Sequence, residues 1–159
     1  MKTLSKIVGV ILSCLVLLLV VLRITGFGPH GRTPGLWLKG NLVTTPVSDW
    51  SFTDKYPNLE IQTRTWYLLP HSVTINCIAY NGQLYVSSVY PAGTRRSWND
   101  NVMRDPHVRI KIGDQLYDRT LIYITDPAEK AGVLQARAKK YPQLKISANS
   151  TIHVFHAVG

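Results

Sequence analysis

The sequence predicts a small α+β domain, mainly antiparallel β, behind an apolar N-terminal helix. Three observations predict it. Residues Ile7 to Leu22 run for sixteen positions without a charge. From Leu59 onward apolar residues recur at every second position, the spacing of strands with one buried face. Turn signals, Asn81-Gly82 and Gly113-Asp114, punctuate those strands. Neither a β-α-β alternation nor a G-x-G-x-x-G stretch is present, which removes a dinucleotide fold.

Charge narrows the partners. The formal net charge is +9, of which Lys2, Lys6 and Arg23 contribute three, leaving +6 on the rest. That balance favours an anionic partner, such as a phosphorylated cofactor, an acidic lipid surface or nucleic acid. Nucleic acid is the weakest of these. The basic residues are spread along the chain, Arg95-Arg96 and Lys139-Lys140 are the only doublets, and no nucleic-acid motif accompanies them. Cys14 falls in the apolar run and Cys77 on a strand. Nothing has the spacing of a metal site, a disulfide framework or a redox pair.

Taken in order, residues 1–24 read as a membrane anchor. Sixteen residues at ~1.5 Å each span ~24 Å, slightly under the ~30 Å hydrocarbon core, and Lys6 and Arg23 can snorkel across the shortfall. A cleaved signal peptide needs small residues before its cut, and no alanine precedes Ala79. The expected state is single-pass in a membrane such as a bacterial inner membrane. The positive-inside count is balanced between the two flanks.

Residues 25–58 form a Gly/Pro-rich lead-in, with aromatics (Phe27, Trp37, Trp50, Phe52, Tyr56) to tie it to the domain or the membrane interface. Residues 59–159 form the barrel domain. Leu59, Ile61 and Thr63 alternate with polar neighbours, and Val73 to Tyr80 continues the same period. Asn81-Gly82 supplies a type I′ hairpin turn before a strand from Gln83 to Ser88. A polar turn from Trp98 to Arg104 leads to a strand from His107 to Ile112. Gly113-Asp114 turns into a long strand from Gln115 to Thr125. Asp126 is the expected N-cap of a helix, with Pro127 first and Glu129 closing a capping box. Ala131, Leu134, Ala138 and Tyr141 would form its buried stripe. Lys139 and Lys140 would form a solvated end, and Pro142 the stop. A strand from Thr151 to Val158 closes the chain.

No Ser-His-Asp, Cys-His or paired-carboxylate set can be assembled. His153 and His156 are three apart on a strand and so point to opposite faces. A cofactor asks less of the protein, which then has only to bind and orient it. The stretch after Gln83 suits that role. Ser87, Ser88 and Thr94 offer hydroxyls, Gly93 allows close backbone approach, and Arg95 and Arg96 can grip a phosphate.

Ser88, ten residues to Trp98, then Asn101-Val102 and Asp105-Pro106-His107-Val108 resemble the deazaflavin-dependent nitroreductase and quinone-reductase family. That family lies within the pyridoxamine-phosphate-oxidase-like split β-barrels. Ile112-Gly113-Asp114, Tyr117 and Thr125-Asp126-Pro127-Ala128-Glu129 follow in the same order. The resemblance covers roughly Leu59 to Val158. It implies a split antiparallel β-barrel and a reductase passing hydride between a deazaflavin coenzyme, or FMN, and a quinone, nitro compound or other small or lipophilic acceptor. It also implies a homodimer, with Ser87, Ser88 and the loop through Gly93, Thr94, Arg95 and Arg96 on the coenzyme's phosphate side. Trp98 and Asn101 would stand beside it. The family's glycine-flanked cationic loop before the second strand is replaced here by Thr65-Trp66-Tyr67-Leu68-Leu69-Pro70. This departure sets the alternative of a tethered barrel that holds no cofactor and binds a partner or ligand.

Overall fold

The computed structural model describes residues 2–159. Helix α1 (Lys2–Thr25) precedes a lead-in that carries strand β1 (Asn41–Leu42) and a 3-10 turn (Ser51–Lys55). The domain then runs β2 (Leu59–Arg64), β3 (Pro70–Ile75), β4 (Cys77–Tyr80), β5 (Gln83–Pro91) and α2 (Ser97–Arg104). After α2 come β6 (His107–Ile112), β7 (Gln115–Tyr123), α3 (Pro127–Lys140) and β8 (Ser150–Val158).

The strands form one sheet in the order β3-β2-β6-β7-β8-β5-β4, and β1 adds to β7 in parallel. All the other ladders are antiparallel. The end strands β3 and β4 are consecutive in the chain, with Asn76 alone between them. The chain itself therefore ties the two ends of the sheet together and curls it into a barrel. No ladder closes the β3–β4 seam among the described residues.

The barrel interior is filled by the alternating residues that period two selects. Leu59, Ile61, Leu84, Val86, Ile110, Ile112 and Phe155 are all buried there, joined by Trp50 from the lead-in. Each such side chain contributes about 1.5–3 kcal/mol. A second cluster (Ile78, Tyr85, Ile124, Val133, Tyr141, Val154) sits outside the barrel, where α3 packs on the sheet. Strand β5 is thus covered on both faces, and Tyr85 is buried although it alternates with Leu84 and Val86.

Both turns form as the residue types require. Asn81 and Gly82 have φ of 51° and 72°, with Tyr80 facing Gln83. Gly113 has φ of 59° between the paired Ile112 and Gln115. Asp126 caps α3, accepting from the Glu129 amide at 2.7 Å.

Several expectations are corrected. The expected strand from Val73 to Tyr80 divides at Asn76, where the chain passes from one end of the sheet to the other. The strand expected to reach Thr125 ends at Tyr123. Trp98 to Arg104 is helix, not turn, because Trp98 and Val102 bury one helical face against the core. Of the expected stripe of α3, Tyr141 is buried and Leu134 packs partly buried beside it, whereas Ala131 and Ala138 are exposed and Val133 and Arg137 take the buried positions. Gly132 lets α3 approach closely there, since a β-carbon would overlap the Tyr80 hydroxyl. Glu129 does not close its capping box; its carboxylate accepts from the Tyr85 hydroxyl at 2.7 Å instead. Lys140 turns inward and donates to Thr53 O at 2.9 Å, so only Lys139 is solvated.

Candidate functional site

Ser87, Ser88 and Val89 of β5 form one wall of a cleft of about 750 Å³. The β5–β8 ladder fixes them, pairing Ser87 with Val154 and Ser88 with His153. Val73 to Asn76 form the opposite wall, across the split seam. Trp98 and Arg96 enter from the start of α2, Arg137 from α3, and Arg32 and Lys145 from the two flanking loops. Four cations line this α3 cleft, and no carboxylate among the described residues does.

Arg137 is its unusual member. It occupies a position on the buried stripe of α3 and is only 4% exposed. Its Nη1 donates to Leu144 O at 3.0 Å, and its Nε has no partner. Burial pulls its pKa below the usual arginine range, yet a guanidinium stays charged in proteins. A buried cation without a counter-ion costs several kcal/mol, which an anion in the cleft would offset. Ser87, also buried, has a hydroxyl with no partner. Two orphaned polar groups beside a carboxylate-free cleft favour a ligand with several acceptor oxygens. Val73, Ile75, Val89, Leu144 and Trp98 add apolar wall for a flat or aliphatic body.

The sequence candidates divide between this cleft and its surroundings. Ser87, Ser88, Arg96 and Trp98 come together in it, although Trp98 is mainly a core residue, its ring 5.9 Å from that of Phe155. Gly93, Thr94 and Arg95 do not line it. Gly93 takes φ of 80° in the turn, and the Thr94 hydroxyl donates to Pro91 O at 2.7 Å. Arg95 is drawn outward into a pair with Asp100 at 3.0 Å, its side chain 82% exposed. Asn101 faces the other way and donates to Thr63 Oγ1 at 3.0 Å, tying α2 to β2. Arg137, Arg32 and Lys145 escaped the sequence reading. Arg137 was findable, because it stands four residues from both Val133 and Tyr141.

The histidines of β8 have separate surroundings. His156 stacks on Tyr85 at 4.7 Å, whereas His153 packs among Tyr90, Tyr123 and Phe155 and bonds Asn99. Burial lowers the pKa of both. Among the described residues no group of three His, Cys, Asp or Glu side chains could hold a metal ion.

No protein-family model and no curated protein matches the sequence. Solved structures do. An F420-H2 dependent reductase is 22% identical, with a TM-score of 0.50, covering 64% of this chain and 94% of its own. A candidate pyridoxamine 5′-phosphate oxidase from Listeria innocua is 17% identical, with a TM-score of 0.50, over 67% of this chain and 88% of its own. A candidate 5-nitroimidazole antibiotic resistance protein from Bacteroides thetaiotaomicron is 16% identical, with a TM-score of 0.51, over 80% and 89%. The fold is the split β-barrel. At such identities the likeness concerns fold alone, and the residues of the cleft must carry the chemistry.

Proposed function

We propose that this protein is a membrane-anchored reductase that holds a phosphorylated deazaflavin coenzyme in the α3 cleft, with FMN the other ligand of the same chemistry. The observation that carries the reading is the buried, uncompensated Arg137 together with the orphaned Ser87 hydroxyl. Arg137, Arg96, Arg32 and Lys145 would hold the phosphate end, and Ser87 and Ser88 would donate to it. The apolar wall with Trp98 would orient the ring. When bound, the coenzyme supplies the hydride chemistry; the protein excludes water and fixes position. No carboxylate in the cleft is placed to move a proton. The acceptor would be small or lipophilic, such as a quinone or nitro compound.

The anchor and the dimer belong to the same reading. Helix α1 is 24 residues long, about 36 Å at helical rise, and its apolar side chains are exposed to the surroundings. It supports a bilayer span that would bring the domain close to lipophilic acceptors. A homodimer follows from the resemblance, and sedimentation of the solubilised chain tests it.

The test of function is direct titration. The full chain in detergent, mixed with FMN or a deazaflavin coenzyme, should bind one of them at micromolar concentration, with a change in absorbance or fluorescence. Binding of neither would refute the reading. A tethered barrel that binds a partner is then favoured by the exposed Trp66-Tyr67-Leu68 loop, which stands where the resembled family carries its cationic loop.

A further inference from the structure

A second cleft, of about 530 Å³, opens at a different edge of the barrel. Four arginines line it: Arg23 at the end of α1, Arg64 at the end of β2, Arg109 on β6 and Arg119 on β7. Among the described residues one side-chain carboxylate, Asp118, lines it, and Arg109 takes it up at 2.7 Å. Arg64 reaches Asp105 outside the cleft at 3.3 Å. Arg119 forms no salt bridge among the described residues; its guanidinium donates to Asp118 O at 2.7 Å and lies 5.1 Å from the Trp50 ring. The cleft therefore keeps a positive surplus.

Two features of its rim have no role inside the domain. The first is α1, whose last turn brings Arg23 to the cleft, so that the apolar helix leaves from this edge. The second is the β2–β3 loop, which starts just past Arg64. Its tip exposes Trp66 at 79%, Tyr67 at 49% and Leu68 at 95%. Leu68 is held there at φ of 68°, an uncommon conformation for a non-glycine residue. Trp and Tyr beside Arg are the residues enriched at membrane interfaces. Three exposed apolar side chains at a loop tip are costly in water and favourable against lipid.

We propose that this edge of the domain lies on the bilayer, with an acidic phospholipid's headgroup phosphate in the arginine cleft and the Trp66–Leu68 tip in the interface. Charge complementarity and continuity with α1 select the lipid as occupant. The inference rests on α1 spanning the membrane, and it would fix the barrel's orientation, which an anchor on a flexible linker would leave free.

The full chain should be reconstituted into phosphatidylcholine vesicles carrying brominated acyl chains, with and without phosphatidylglycerol. Bromine should quench a component of the tryptophan fluorescence that Trp66→Phe removes, and quench it more strongly with phosphatidylglycerol. In mixed bilayers, lipid co-purified with the chain should be enriched in phosphatidylglycerol. Arg64→Gln should reduce that enrichment about fivefold, the effect of one arginine at an acidic surface, and Arg64→Gln with Arg119→Gln should reduce it further. Arg64→Gln is an exposed change and keeps the test valid if the double variant unfolds. Quenching without preference for phosphatidylglycerol overturns the headgroup site. Stabilisation by inorganic phosphate equal to that by phosphatidylglycerol assigns the cleft to a soluble anion and also overturns it. Resistance to carbonate extraction without Trp66 quenching overturns the inference and leaves the anchor standing. Extraction by carbonate removes both.

Discussion

The two clefts contain equal numbers of cations and stand in opposite electrostatic states. In the α3 cleft the decisive cation is buried, has no carboxylate, and sits beside an orphaned hydroxyl. In the cleft at the end of α1, two of the four arginines already have acids, and Arg64 is 73% exposed. Counting positive charges would rank the two alike. Burial separates them, because water screens an exposed guanidinium far better than the nearly buried Arg137. On the proposed readings the α3 cleft would hold one anion tightly, and the other would rest on a surface with many.

The strongest way to break that contrast is to remove the buried charge. Arg137→Met should weaken coenzyme binding by about 10- to 150-fold, the loss of charged hydrogen bonds worth ~1.5–3 kcal/mol. The ligand-free protein should melt at a higher temperature, since an uncompensated charge is replaced by apolar volume. Thermal denaturation with and without coenzyme reads both effects, and lower stability in the free state would mean that Arg137 is compensated.

Next in size is Gly132→Ala. The new methyl meets the hydroxyl end of the half-buried Tyr80 side chain, which must swing aside or push α3 outward, costing about 1 kcal/mol in urea denaturation. Coenzyme binding should fall with it, while phosphatidylglycerol enrichment at the other cleft stays unchanged.

Acidification should destabilise the fold in two steps, the first at histidines outside both clefts. His71, His153 and His156 have pKa values lowered by burial from 6.5, so the unfolded chain takes up protons first. Stability is therefore full above about 6.5 and falls as the pH drops through that value toward the folded pKa. Asp105 and Asp118 are held below 3.8. Their contribution is present above 3.8 and is lost only as the pH falls through their folded values. Melting temperatures from pH 8 to pH 3 should show a first decline near 6.5, with the ion pairs of the arginine cleft intact, and a second below about 4. A flat profile between pH 8 and 5 would contradict the histidine assignments.

The smallest stability effect belongs to Asp118→Asn. An exposed pair is worth less than ~1 kcal/mol, so melting should barely move. Freed Arg109 should nevertheless raise the enrichment of phosphatidylglycerol. Arg95→Gln, outside both clefts, should change neither binding nor lipid preference.

The sequence was most legible where local chemistry acts alone. Asn81-Gly82, Gly113 and Asp126 adopt the turn and cap geometry their side chains favour, and Leu59 to Arg64 shows its buried face directly. It was least legible where a distant element covers a surface. Tyr85 and Ser87 look like the open face of β5 until α3 and the loops around it are placed. Ala131 and Ala138 look buried until α3 is seen to pack Val133 and Tyr141 on the sheet. Arg95 and Arg96 read as a pair, yet Asp100 at the start of α2 draws one of them away.

From its residues alone, then, this chain specifies an apolar helix, antiparallel strands with their tight turns, one capped helix, and serines with an arginine near a candidate anion site. Those features depend on period, turn chemistry and capping, which act over a few residues. The joining of the sheet ends at Asn76, the register of α3 and the burial of Arg137 were decided by tertiary structure. Each requires contact between segments far apart in the chain, and the cost of an unpaired charge arises only when such contacts exclude water.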